Sequence, residues 1–363
     1  RAGERVTDAL LEAIDETAAL ERLHELGCTD GLPVVVPTPE RVERMVTASG
    51  MDAVLELGSM GPAGGAATVE KICAAAVMAG CLPEHLPVVL AAVQAVMDPA
   101  FDLAEMQSTT HCTAPLILLN GPARRDCGDF ASGFGALGPG FRANASVGRA
   151  LRLAMINIGG GRPGESDMAL LGHPGKFTYL LAEAEESSPW EPLHVSRGFA
   201  ADESAVTVVG AEPPRSVIYQ SNAGPEGAAE LVGQLAGALC HSSTNNGVIR
   251  GGTVVVALNP EHAQMLANAD WSRRRVQEEL FARCLARRSN WRFLRPELEF
   301  SPDDDPLEPC FESPEQLLVL VAGGPGLYSA VMTSWCAGAH RNSAVSQGIE
   351  YGEVCELPFA RSR

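Results

Sequence analysis

The sequence predicts an α/β protein of two pseudo-symmetric α/β lobes, made by internal duplication, with a cleft between them. Three observations carry that expectation. Short apolar runs such as PLILL (115–119) and LLVLV (317–321) end at Gly/Pro turns, as buried strands do. Segments with apolar residues three and four apart lie between them, the period of a helix packed on one face. GGTVVVALNPEHAQML (251–266) repeats the order of PVVVPTPERVERM (33–45), and QLLVLVAGGPG (316–326) repeats APLILLNGPA (114–123). The lobes divide at 1–215 and 216–363, the first holding a Gly-rich central segment (121–198) and the second an Arg-rich helix (272–295).

Taken in order, residues 6–26 read as a helix, with Val6, Leu10, Ile14, Ala18 and Leu26 broadly on one face. GCTDGLPVVVPTPERVERMV then reads as a turn, a short buried strand and a helix entered through Thr38-Pro39-Glu40, where proline's missing N–H has no cost. Residues 68–80 and 84–97 are two apolar helices parted at Gly80-Cys81-Leu82-Pro83. The strand 115–119 runs into Asn120-Gly121-Pro122. A further helix is expected from Ala145 to about Ile158, with Asn144 as its cap and Val147, Leu151, Ala154 and Ile158 as its buried stripe.

At 363 residues with 46% hydrophobic and 20% charged side chains, the chain can bury a large core. A formal charge of −18 argues against nucleic acid and anionic membrane as partners. No apolar run reaches the roughly 20 residues of a membrane span. The Glu-rich start lacks the features of a signal peptide, and ten cysteines without metal-ligand or redox spacing suit reduced thiols, so a cytoplasmic setting is expected. Dispersed histidines give no metal motif. Lys71 and Lys176 are the only lysines, so positive charge is almost all guanidinium.

Chemistry is sought in the Gly-rich centre. In ALGPGFRANASVGRALRL (136–153) the Gly138-Pro139-Gly140 turn leads into a helix start that offers N–H donors and a positive dipole end. Arg142, Asn144, Arg149 and Arg152 lie around it, and an arginine fork fits a tetrahedral oxyanion or a carboxylate. Beyond the helix, NIGGGRPGESDMALLGHPGK (157–176) crowds Arg162, Glu165, Asp167, His173 and Lys176 onto one loop. Glu165 or His173 can take a proton there, and Arg162 or Lys176 can hold an anion. His111, before the strand at 115, is a third candidate base, and neighbouring Cys112 a candidate nucleophile. The turns at Gly121 and at 323–326, with Ser329 just past the second, and the run HSSTNNG (241–247), could line the same cleft. Arg274, Arg275, Arg287 and Arg288 either balance nearby Glu residues or form a docking face for an acidic partner.

The runs TDGLPVVVPTPERV, AVMAGCLPEHLPVVLAAV, STTH, FGALGPGFRANASVGRALRL, GHPGK and SPWEPLHVSRGF together resemble a bacterial family of large proteins encoded beside small proteins of the UGSC-motif group. The resemblance covers the chain to about residue 220. One branch looks like the large subunit of the aziridine-forming enzyme pair of azinomycin-type antibiotic biosynthesis. The resemblance implies a cofactor-independent ring closure in which an amine displaces a sulfate ester on a neighbouring carbon. The substrate would ride on an acidic amino-group carrier protein, and a small UGSC-type subunit would complete the enzyme. It assigns no catalytic residue, and the UGSC motif is absent from this chain. The residues add a division of labour: Gly138, Gly140, Arg142, Asn144 and Arg149 for the sulfate, and Glu165, His173 or His111 for the amine proton. Two alternatives remain: a thiol-dependent reductase or lyase, and a scaffold subunit that only recruits the carrier.

Overall fold

In a computed structural model the described residues are 10–220, 224–294, 297, 299–301 and 303–351. The first half runs α1 (Glu16–Glu25), α2 (Pro39–Ser49), β1 (Glu56–Met60), β2 (Gly65–Thr68), α3 (Val69–Met78), α4 (Leu86–Met97), α5 (Leu103–Ser108), β3 (Ala114–Asn120), α6 (Ala123–Asp126), α7 (Arg142–Asn157), β4 (Leu180–Ala182), α8 (Leu193–Ser196) and β5 (Ala205–Ala211). The second runs β6 (Arg215–Ile218), α9 (Pro225–Leu239), α10 (Asn245–Val248), β7 (Val254–Leu258), α11 (Pro260–Asn268), α12 (Arg273–Arg283), β8 (Leu285–Arg287), β9 (Leu307–Pro309), β10 (Leu317–Val321), β11 (Tyr328–Met332) and β12 (Val345–Gly348).

Two four-stranded sheets dominate, ordered β4-β3-β5-β12 and β10-β7-β11-β6. Each has a parallel edge pair followed by two antiparallel pairings: β4/β3 then β5 and β12, and β10/β7 then β11 and β6. Successive strand residues face opposite ways, so a strand that is apolar throughout is buried on both faces. Ile117, Leu119, Val206 and Val208 meet α3, α4 and α7 in one core. Val254, Val256, Val319 and Val321 meet α9, α11 and α12 in a second. The alternate residues, Leu116, Leu118 and Val209 from one sheet and Val255, Leu318 and Leu320 from the other, meet each other. The result is four layers: helices, sheet, sheet, helices. Apolar side chains fill the space between the facing sheets, where an open cleft was expected.

The division at 215/216 does not hold. Strand β12 comes from the second half but completes the first sheet, pairing Val345 with Val208. β6, which follows directly on β5, belongs to the second sheet, in keeping with that division. Nor do residues 33–38 form the expected strand; prolines at 33 and 37 remove ladder donors, and Val35 N–H donates instead to Met78 O (3.1 Å). The stretch that matches β7-Asn259-Pro260 in position is β3-Asn120-Gly121-Pro122. The first helix begins only at Glu16, capped by Asp15, with Leu10 and Ile14 exposed and Val6 outside the described residues. The helices expected at 68–80 and 84–97 are α3 and α4. α12 ends at Arg283, and the chain turns at Cys284 into β8, so the Arg-rich segment is not one helix.

Candidate active site

The sheets exchange strands at one place. β5 ends at Ala211 and the chain crosses to β6; β11 ends at Met332 and crosses toward β12. Ala211 bridges to Ser334, and Glu212 N–H donates to Thr333 O (2.9 Å). The buried Asn342 amide clasps Gly210, accepting from its N–H and donating to its carbonyl at 2.8 Å each. Polar side chains from both sheets gather at this crossing.

Glu212 Oε1 lies 2.5 Å from His111 Nε2, and its other oxygen accepts from the Thr333 hydroxyl. Burial pushes the Glu212 carboxyl up, but the hydrogen bonds from His111 and Thr333 outweigh it and hold the group below the usual carboxylate range. An ionised Glu212 fixes the imidazole proton on Nε2. In the neutral ring Nδ1 is then the lone-pair nitrogen; it is buried, and no described residue hydrogen-bonds to it. Other parts of the two side chains stay in reach of solvent, with 19% of His111 and 25% of Glu212 exposed, while Nδ1 itself is buried.

Beside it lies a cationic pair. Lys176 Nζ donates to both oxygens of Asp167 (2.9 and 2.7 Å), and Arg152 Nη2 donates to Oδ2 (3.1 Å). One carboxylate thus faces two cations, leaving an excess positive charge. Burial raises the Asp167 carboxyl, but the Lys176 hydrogen bond and both cations bring it below its ordinary value. Burial likewise draws Lys176 down, against the pull of Asp167. Arg152 Nη1 also donates to Gln107 Oε1 (3.2 Å), and Gly161 leaves the space this amide fills. Half-buried Cys112 contributes to the field at Lys176.

Of the expected site residues, the structure brings together His111, His173 and Lys176. His173 Nδ1 accepts from Gly175 N–H (3.1 Å), and the ring sits edge-on to Tyr179. Burial pulls its pKa down to about 4, so it stands neutral and pinned beside the crossing. Glu165 lies exposed on a turn; Asp167, two residues on, is the carboxylate that turns inward. Arg162 packs its guanidinium against Gly27.

The oxyanion pocket expected at the start of α7 is not formed. The helix begins at Arg142 with Phe141 at its cap position, and no side chain caps it. Arg142 Nε and Nη2 donate to Gly80 O (3.1 and 2.9 Å). Arg149 forks onto Asp30 (2.7 and 2.7 Å) and also reaches Pro33 O (3.0 Å). Buried Asn144 ties Ala131 through its N–H and carbonyl (2.9 Å each). Gly138 and Gly140 lie on an exposed turn, with Gly138 N–H on Gly135 O (2.6 Å).

The remaining candidates are placed elsewhere. Ser329 is buried; its Oγ accepts from Asn259 N–H (3.1 Å) and meets His262 Nδ1 (2.7 Å), while His262 Nε2 reaches Tyr219 O (3.0 Å). That closed network holds β7 to β11. Gly121 N–H donates to Glu185 Oε1 (2.7 Å) and Gly323 N–H to Ser132 O (2.7 Å), so neither turn offers a free donor there. Arg274 pairs with Glu278 and Glu315, Arg287 with Asp305 and Arg288 with Glu308, and Arg275 covers the Trp271 ring. The local-balance reading of these arginines therefore describes their contacts.

Sequence reasoning missed Glu212, Thr333 and Gln107 and set Asp167 below Glu165. No spacing rule joins positions 111, 212 and 333; only the strand exchange brings them together. Among the described residues no cluster of His, Cys, Asp or Glu is arranged to hold a metal ion, and no single helix is long and apolar enough to cross a membrane. No family model, curated protein or solved structure matches the chain.

Proposed function

We propose that this protein is an acid–base enzyme working at the strand crossing, and that its reaction is the cofactor-independent ring closure implied by the family resemblance. The observation that carries the acid–base reading is His111: its Nε2 is held by Glu212, and its buried Nδ1 has no hydrogen-bond partner among the described residues. A carboxylate-oriented imidazole with one free nitrogen is the arrangement a general base requires. In the proposed reaction Nδ1 takes the proton as the substrate nitrogen attacks the adjacent carbon. The C–N bond forms, the C–O bond to sulfate breaks, and the surplus charge of Lys176 and Arg152 meets the departing dianion. His173, neutral above about pH 4, packs the wall without competing for that proton.

The partners of this reading are the small UGSC-type subunit and the acidic carrier protein. The matching strand order and directions of the two sheets support an origin by duplication, with β6 and β12 exchanged between the copies. The crossing, where both copies contribute residues, takes the place of the expected cleft. The test is turnover of a sulfated amine by the purified pair of subunits, read as sulfate release and product mass. His111→Gln should lower kcat by about 100-fold or more. Unchanged turnover in that variant rejects His111 as the base. Loss of turnover in Cys112→Ser, with His111→Gln active, would favour the thiol mechanism, because Cys112 borders the same cations.

A further inference from the structure

A cavity of about 400 Å³ opens where the segment ahead of β7 meets the segment after β9 and the turn around Trp291. That is the size of a small-molecule site. Ile249, Trp291, Leu294 and Phe311 give it an apolar, partly aromatic wall, and Arg250, Arg341 and Glu312 supply its charge. The lining thus holds two guanidinium groups to one carboxylate, in a chain of formal charge −18.

The two arginines differ in how firmly they are engaged. Arg250 is buried and fixed, with Nη1 on Glu308 (2.8 Å), Nη2 on Ala286 O (3.1 Å) and its guanidinium 4.3 Å over the Trp291 ring. It serves to hold the wall. Arg341 stands at the rim. Its side chain is 43% exposed, and its Nη1 meets Glu312, itself 66% exposed, at 3.2 Å. A solvated pair of this kind contributes little, so an incoming anion can replace Glu312 on the guanidinium fork.

Arg341 is nevertheless aimed. Its Nη2 donates to Arg250 O (2.6 Å), and a Cβ at Gly251 would lie 2.9 Å from that nitrogen, so glycine leaves the guanidinium room against the backbone. Arg250, Gly251 and Arg341 all lie at positive φ (69°, 78° and 51°). For arginine that conformation is uncommon, and such strain concentrates at functional positions. Leu294 also lines the cavity, yet its side chain is left exposed to solvent.

We propose that this cavity binds a small organic monoanion, an aromatic body bearing a carboxylate or sulfonate. The ring covers the apolar wall of Trp291, Phe311 and Leu294, and the anionic group takes the open face of Arg341. A neutral ring would gain only the apolar contact, and a bare inorganic anion only the exchange with Glu312. A cation would meet the surplus guanidinium. His111, Glu212 and Lys176 do not line this cavity, so binding here is separate from reaction at the strand crossing.

The experiment titrates the whole chain at neutral pH with anilinonaphthalene sulfonate, read by probe fluorescence and, for stoichiometry, by equilibrium dialysis. Uncharged N-phenylnaphthylamine is the comparison. One saturable sulfonate site per chain is expected. Arg341→Gln removes the anchor and Leu294→Asp sets a like charge on the lining; each should weaken sulfonate binding about ten-fold or more. The neutral compound should bind the parent about ten-fold more weakly than the sulfonate and be unaffected by Arg341→Gln. Leu294→Asp removes no side-chain hydrogen bond, so it decides the matter if Arg341→Gln unfolds. No saturable binding to the parent, unchanged sulfonate affinity in either folded variant, or equal affinity for the neutral compound overturns the proposal.

Discussion

At the level of single residues, the site depends on which atoms have partners. Glu212 orients His111 without touching a reacting atom, so it is a positioning residue. Glu212→Gln should keep the fold and lower kcat by roughly 10–100-fold, with KM little changed and the pH–rate profile displaced, because the imidazole tautomer is no longer fixed. A profile identical to the parent's would remove that role. A second residue-level test concerns Glu183, which is almost wholly buried between Asn120 (2.5 Å), Leu193 N–H (2.7 Å) and Arg273 (3.1 Å). Burial raises its carboxyl despite the Arg273 charge. Arg273→Met should cost about 3–5 kcal/mol of unfolding free energy at neutral pH, since it strands a buried charge. The loss should shrink as the pH falls and Glu183 takes a proton. At this scale His111, His173 and Lys176 were legible as residue types beside a strand or on a glycine loop. The partner of His111 was not, because Glu212 reaches it, and Thr333 reaches Glu212, through pairings some 100 residues or more apart.

Helix α7 shows what an element can hide. Its apolar stripe and length were readable, but its polar face was not. That face looked like an anion site and proves to be a tether for the segment around residues 30–33. The sequence cannot distinguish these, since a fork of guanidinium N–H donors fits a protein carboxylate as well as a free anion. Asp30 is 4% exposed, so the Arg149–Asp30 pair resembles a buried bridge more than a surface one. Arg149→Met and Asp30→Asn should each lower stability by about 2–4 kcal/mol. The double variant should lose clearly less than their sum. Denaturant midpoints of the four proteins check this; strict additivity would mean the side chains act separately. The strand misread at 34–36 has the same origin: a Val run is apolar enough for a strand, and only flanking prolines decide that it cannot join one.

Across the whole molecule, protonation and topology both tie the halves together. Burial holds His85 and His173 down to about 4, from an ordinary value of 6.5. The unfolded chain therefore binds more protons than the folded one between those limits. Their contribution is fully present above about pH 6.5 and is lost as the pH falls toward 4. Each is worth roughly 2 kcal/mol after allowance for partial exposure, so urea unfolding should show stability falling through this window. A flat profile there would contradict the burial of both rings.

The strand exchange leads to a stricter expectation. Alternation of apolar residues made two sheets legible, yet it could not say which sheet would receive β6 or β12, because an edge strand carries little pattern of its own. With the crossings as observed, the first half cannot complete its sheet without β12 from the second. A fragment ending at residue 214 lacks β12, leaves the edge of β5 unpaired and exposes Leu116, Leu118 and Val209, which face the second sheet. Exposed apolar faces and open edges of this kind favour aggregation over folding. The fragment should thus give no cooperative melt, while the full chain should unfold in a single transition whose calorimetric and van't Hoff enthalpies agree. Two resolved transitions, or a monomeric fragment that melts cooperatively, would show that the first sheet stands without its borrowed strand. In that case the crossing would be a contact between independent domains, and its polar cluster could not depend on both sheets for its geometry.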